Sequence, residues 1–234
     1  MKIIITESQY KKLLKEEEKE QKIFRVPGLD FFHENPWEAW KILQKVLEAR
    51  GNPPYTIGGS LDLSNTSMEY STIESLGNLT SVEGDLDLRY TPIESLGNLI
   101  SVGGDLDLYE TPIKSLENLQ SVGGYLDLRG TPIESLGNLT TVGGFLDLSF
   151  TPIESLGNLQ SVGGFINLYN TQIESLGNLT SVGRSLDLRN TPIESLGNLT
   201  SVGGDLYLND TPLSEKYTEE DIRKMVKVGG DIYL

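Results

Sequence analysis

Leu86-Asp87-Leu88-Arg89-Tyr90-Thr91-Pro92-Ile93-Glu94-Ser95-Leu96-Gly97-Asn98-Leu99 returns almost letter for letter every 20 residues. Its Ser-Leu-x-Asn-Leu core starts at Ser75, Ser95, Ser115, Ser135, Ser155, Ser175 and Ser195. A short fixed period marks a solenoid: one unit cannot bury its own apolar face and must stack on its neighbours.

Within a unit, Val102-Gly103-Gly104 leads into Asp105-Leu106-Asp107-Leu108. Alternation with period two is the strand signal, with Leu106 and Leu108 on one face and the aspartates on the other. Thr111-Pro112 ends the strand, because proline has no N–H for a ladder bond. Ile113, Leu116, Leu119 and Val122 follow at steps of three. That spacing suits a tight 3₁₀-like or irregular return, and about ten residues leave no room for a long helix. The glycine pair turns the chain into the next strand, through positive φ or close approach of backbone. Strands are expected around Leu61, Leu86, Leu106, Leu126, Leu146, Ile166, Leu186, Leu206 and Ile232. Stacked about 4.8 Å apart, they give one parallel sheet on the order of 40 Å long. Columns of Leu, Leu, Ile, Leu, Leu and Val form the core.

These residues resemble the leucine-rich repeat family. Leu106-x-Leu108-x-x-Thr111-x-Ile113 and its copies are similar to the family's L-x-L-x-x-N-x-L, over residues 58–213. Thr stands where the family has Asn, and glycine stands where its leading Leu is expected. The period is similar to that of the shortest family class, found in some bacterial effectors, but their Leu-Pro-x-Leu-Pro return is absent. The resemblance implies a curved solenoid with its strands on the concave side. A parallel β-helix is the alternative.

The flanks read as accessories to this solenoid. In residues 1–22, Thr6 and Gln9 fit a capping box, and the stretch then turns wholly charged or polar, as in a solvated helical arm. Residues 23–57 read as an N-terminal cap. Asn35-Pro36-Trp37-Glu38 opens its helix, Trp37, Trp40, Ile42, Leu43, Val46 and Leu47 make a broad apolar face, and Gly51 and Pro53 stop it. Such a cap covers the core that a first coil would expose. From Leu61 to Leu86 is 25 residues, so five extra residues near 67–71 are expected to bulge on the return side. Residues 214–234 read as a C-terminal cap, a helix from Thr218 to Lys227 and a last strand at Ile232 whose edge could pair weakly with a second copy.

There is no cysteine, which excludes disulfides, thiolate chemistry and Cys-bound zinc. No apolar run approaches membrane-spanning length, and Ile3-Ile4-Ile5 is too short for a leader, so a cytoplasmic protein is expected. The single histidine, His33, lies outside the repeats, and no Walker, H-E-x-x-H or EF-hand pattern occurs. No enzyme, cofactor or metal centre is expected. N-x-S/T sequons stand at Asn65, Asn78, Asn138, Asn178 and Asn198 and are expected to be unused without a secretion signal. All but Asn65 belong to the framework asparagine column, which reads as a ladder satisfying backbone groups of the bends. The Thr91, Thr111 and Thr131 column is expected to tie adjacent coils in the same way.

Residues 58–213 hold 20 acidic and 5 basic side chains, a net −15, whereas the flanks cancel. Asp62, Asp87, Asp107, Asp127, Asp147 and Asp187 should stand in one column, with Asn167 inserted. Neighbouring carboxylates about 5 Å apart repel by roughly 0.8 kcal/mol in water, and Arg89, Arg129 and Arg189 relieve part of this. The column is expected to be a solvated face, or else a place for divalent cations or a basic protein. The sign of the charge argues against nucleic acid.

The copies differ in only a few columns. Before the first strand leucine stand Asp85, Asp105, Tyr125, Phe145, Phe165, Ser185 and Asp205; after the second stand Arg89, Tyr109, Arg129, Ser149, Tyr169, Arg189 and Asn209. By strand parity both columns face outward. Tyr109, Tyr125, Asp127, Arg129, Phe145, Asp147, Phe165 and Tyr169 therefore form the candidate partner-binding face, an aromatic cluster among charges. Cross-strand aromatic pairing that merely stabilises the sheet is the competing account. The function expected is non-enzymatic protein binding through this face. The alternatives are a structural component acting through its arm or terminal edge, and a cation-binding solenoid.

Overall fold

The structure is a computed structural model, and it describes residues 23–26, 36–64, 73 and 75–234. The expectations for the arm 1–22, for His33, Asn35 and Asn65, and for the bulge at 67–71 lie outside the described residues, as does the side chain of Trp37.

Each coil contributes two short strands, and the strands form two parallel sheets. A nine-stranded sheet joins Leu61–Asp62, Leu86–Asp87, Leu106–Asp107, Leu126–Asp127, Leu146–Asp147, Ile166–Asn167, Leu186–Asp187, Leu206–Tyr207 and Ile232–Tyr233 in sequence order. These are the nine segments that the alternation marks. A ten-stranded sheet on the other side of the glycine pair joins Phe24–Val26, Tyr55–Ile57, Leu79–Val82 and the Ser-Val or Thr-Val pairs from Ser101–Val102 onward, ending at Lys227–Val228. This ladder corrects the expectation of a single sheet with an irregular return. Register advances by 20 residues, Leu106 on Leu126 and Ser101 on Ser121. Isolated bridges such as Ser115 to Ser135 add partial pairing on the third side.

Six side chains per coil turn inward. In the coil that includes Leu86, these are Leu86, Leu88, Ile93, Leu96, Leu99 and Val102, all at most 2% exposed. Burying a leucine or isoleucine completely stabilises by about 1.5–3 kcal/mol, so these columns dominate the energetics. The Val-Gly-Gly glycines serve close approach alone. Neither has a positive φ, but a Cβ on Gly103 would sit on the Glu83 carbonyl of the preceding coil. Left-handed backbone lies at two other columns. One is Gly77, Gly97, Glu117, Gly137, Gly157, Gly177 and Gly197; the other is Tyr90, Glu110, Gly130, Phe150, Asn170, Asn190 and Asp210.

The ladder already begins within the stretch read as the cap. Phe24–Val26 and Tyr55–Ile57 pair in parallel, with the helix Pro36–Glu48 between them in the chain. The helix buries Trp40, Leu43 and Leu47, whereas Ile42 is 53% and Val46 37% exposed. The apolar face is therefore narrower than the sequence pattern suggests. At the far end come two short helices, Pro212–Lys216 and Glu219–Met225, the second capped by Thr218 as expected but ending before Lys227. Among the described residues, no helix is long and apolar enough to cross a membrane.

Candidate functional site

The outward face of the nine-stranded sheet carries the variable columns, and its first feature is a carboxylate ladder. In each coil the Asp side chain folds back to accept the backbone N–H two residues on: Asp107 from Tyr109 at 3.0 Å, Asp127 from Arg129 at 3.0 Å, Asp147 from Ser149 at 3.0 Å. Asn167 does the same for Tyr169 at 3.1 Å. This local bond closes the strand where the chain turns. Asp127, Asp147 and Asp187 are at most 5% exposed. The solvated Asp face is thus corrected from Asp127 onward: Asp127, Asp147 and Asp187 lie beneath the surface and cap strands, whereas Asp62 is exposed and Asp87 and Asp107 are half-buried.

The arginines sit over this ladder. Arg129 clamps Asp127 with Nη2 to Oδ2 at 2.6 Å, reaches Asp147 at 3.8 Å, and lies over the Tyr109 ring at 5.3 Å. Arg189 clamps Asp187 and lies 5.6 Å and 5.3 Å from the Tyr169 and Tyr207 rings. Hydrogen bonding to the partner carboxylate raises the pKa of both guanidinium groups further. Asp107 belongs to a coil with Tyr109 in the arginine column and shares Arg89 with Asp87, at 3.3 Å. Burial, with Asp127 and Asp87 beside it, pushes its carboxyl up to about 6.

Tyr125, Phe145 and Phe165 form one continuous stack, with centroids 5.0 and 5.1 Å apart and planes within 24°. All three are half-buried. Elsewhere the same column ties coil to coil by hydrogen bonds: Asp85 accepts the N–H of Asp105 at 2.8 Å, Asp105 that of Tyr125 at 2.6 Å, and Ser185 that of Asp205 at 2.9 Å. The stacked rings replace those bonds in the middle coils. Cross-strand pairing is therefore part of what this column does.

A second aromatic set runs along the left-handed turn that borders the sheet, a set the sequence reading missed. Tyr90 meets Tyr109 edge to face at 5.4 Å, and Phe150 meets Tyr169 likewise at 5.2 Å. Phe150 has φ of 59° and is 66% exposed, the most exposed large apolar side chain among the described residues. The sequence signal was present: Phe150 stands in a column otherwise holding Tyr, Glu, Gly, Asn and Asp. The structure brings Tyr109, Tyr125, Arg129, Phe145, Phe165 and Tyr169 together on one surface.

The remaining framework columns are structural. Asn118, Asn158 and Asn178 donate from Nδ2 to the Gly97, Gly137 and Gly157 carbonyls of the preceding coil, at 2.9–3.3 Å, as the ladder reading expects. The threonines of the Thr91 column do not tie adjacent coils; Thr140, Thr180 and Thr200 do, donating to carbonyls of the preceding coil at 2.8–3.0 Å. Thr91 and its copies are buried and donate within their own coil, Thr91 to the Leu88 carbonyl at 2.7 Å. Among the described residues, no group of three acidic or histidine side chains gathers in a way that could hold a metal ion. Comparison with known protein families, with characterised proteins and with solved structures finds no match to this chain.

Proposed function

We propose that this repeat solenoid is a non-enzymatic protein-binding module that engages its partner through the outer face of the nine-stranded sheet and its bordering turn. The observation that carries the reading is Phe150. A left-handed backbone costs a non-glycine residue roughly 1–2 kcal/mol, least for Asn and Asp. Asn170 and Asn190 hold the same conformation one and two coils away. At Phe150 the chain instead keeps a bulky ring that is 66% exposed, so the fold gains little from it. Backbone cost without burial marks a residue kept for contact, and aromatic groups are the usual energetic centres of interfaces.

In its Leu-x-Leu-x-x-Thr-x-Ile columns the solenoid resembles leucine-rich repeats; in its second ladder it resembles a parallel β-helix. The absence of cysteine fits a cytoplasmic setting. The cation-binding alternative loses its main support, since the Asp oxygens already accept backbone N–H and guanidinium donors.

The test uses the whole folded chain. Proteins captured by wild type are identified, one is purified, and its affinity is measured for wild type and for Phe150→Asn. A loss of tenfold or more, with unchanged circular dichroism and an undiminished melting temperature, supports the reading. Unchanged affinity overturns it.

A further inference from the structure

We propose that the notch over Gly130, between the Glu110 carboxylate and the Phe150 ring, receives an arginine side chain of the partner; this rests on the protein-binding reading above. Glu110, Gly130 and Phe150 occupy one column in three successive coils, all exposed and all with left-handed backbone. Gly130 has no side chain, so the Glu110 carboxyl lies across it, its Cδ 2.9 Å from where a Cβ would stand. On the far side Phe150 leans on Tyr169 in the following coil.

The rest of this face shows what such a pair of groups holds. Arg129 is placed between the Tyr109 ring and the Asp127 carboxylate, and Arg189 between the Tyr169 and Tyr207 rings and Asp187. At Gly130 the ring and the carboxylate are present; the Glu110 carboxylate is hydrogen-bonded to the Tyr109 hydroxyl, and among the described residues no ion pair is formed by Glu110. Arg129, on the same coil, is already committed to Asp127, Asp147 and Tyr109. Two coil steps separate Glu110 from Phe150, about 10 Å along the axis. A guanidinium reaches a ring centroid at up to about 6 Å, and its planar fork meets a carboxylate within ion-pair distance, so one side chain spans that gap. The solenoid's net charge of −15 attracts such a partner.

The experiment titrates the full chain with an acetylated tetra-arginine amide in 0.15 M salt. A tetra-glutamate peptide of the same design is the control, and the Phe150 ring resonances are the readout. Saturable shifts of the Phe150 ring with the arginine peptide alone are expected. Gly130→Asn fills the notch at unchanged net charge, and Asn170 and Asn190 show that asparagine accepts this backbone. It is expected to weaken binding by about tenfold, as is Glu110→Gln. Binding undiminished in Gly130→Asn, or no shift at Phe150, overturns the proposal in favour of diffuse charge attraction. If Phe150→Asn abolishes capture of the partner while Gly130→Asn leaves the peptide titration unchanged, the protein-binding reading stands and the arginine assignment falls. If capture survives Phe150→Asn, the protein-binding reading is the one that fails.

Discussion

Asp107→Asn should stabilise the protein at neutral pH and leave it nearly unchanged in acid. Burial holds the folded-state pKa of Asp107 near 6 against an ordinary 3.8. Between about pH 4 and 6 the folded state therefore binds more protons at this site than the unfolded state, and stability falls as pH rises through that window. Above it, the ionised carboxylate carries the whole cost. A rise from 3.8 to about 6 corresponds to roughly 3 kcal/mol as a ceiling. The side chain is 24% exposed and Arg89 lies at 3.3 Å, so solvent screening reduces this to about 1–2 kcal/mol. Asparagine removes the charge and keeps the local bond, as Asn167 demonstrates: its Oδ1 accepts from the Tyr169 N–H, and its Nδ2 donates to Asp147 Oδ2 at 3.3 Å. In a chain of this size the gain appears as about 2–8 °C in Tm at pH 7. Calorimetry of wild type and variant from pH 3.5 to 8, read as the difference between them, checks it. A difference that is absent at pH 7, or equal at pH 4 and pH 7, refutes the reasoning.

Leu126→Ala should cost about 2–5 kcal/mol in urea unfolding, because it opens a cavity in a fully buried column. The triple change Tyr125→Ser, Phe145→Ser, Phe165→Ser removes two stacked pairs, each contributing about 0.5–1.5 kcal/mol beyond burial, and should leave a folded but less stable protein. Its complete unfolding by circular dichroism would show the stack to be essential to the fold. Phe150→Asn should be at least as stable as wild type, since relief of the left-handed backbone offsets the lost contact with Tyr169; a clear drop in urea midpoint would count against the role assigned to this ring. Millimolar calcium should shift Tm by no more than a degree or so, because calcium wants six to eight oxygens and the Asp column has already committed its own. A large shift abolished by Asp127→Asn with Asp147→Asn would restore the cation-binding alternative.

The six inward columns and the nine-stranded sheet were legible because leucine alternation and a fixed period are signals that survive averaging over seven copies. The second sheet was not. Its strands are two residues long, as in Ser101–Val102, too short for alternation to show, and they sit beside glycines that read as a turn. The burial of Asp127 and Asp147 escaped notice because parity gives direction, not depth: the covering comes from Arg129 and from the flanking rings. The left-handed turn was masked by its occupants, since Tyr90, Glu110 and Phe150 carry no glycine signature. Of the binding face, the outward direction and the Tyr125–Phe145–Phe165 patch could be read. The stacking within that patch, and the more exposed ring at Phe150, required the coil geometry.

The one-coil register has a consequence for the size of any footprint. Contact groups on this face recur at the strand spacing of about 4.8 Å, whereas a partner helix repeats at about 5.4 Å per turn. The two rulers slip by about 0.6 Å per coil, so a match made at one coil is off by more than 2 Å four coils later. Under the proposed protein-binding role, a vernier of this kind favours a short contact with a helix laid along the axis over a long one. Rings fill the column before the strand leucine in three consecutive coils, Tyr125 to Phe165, and the turn ring Phe150 stands beside the middle strand. The coils beyond them set the distance from those rings to each end of the solenoid, and adding or removing one would move them by a single strand spacing without altering their chemistry.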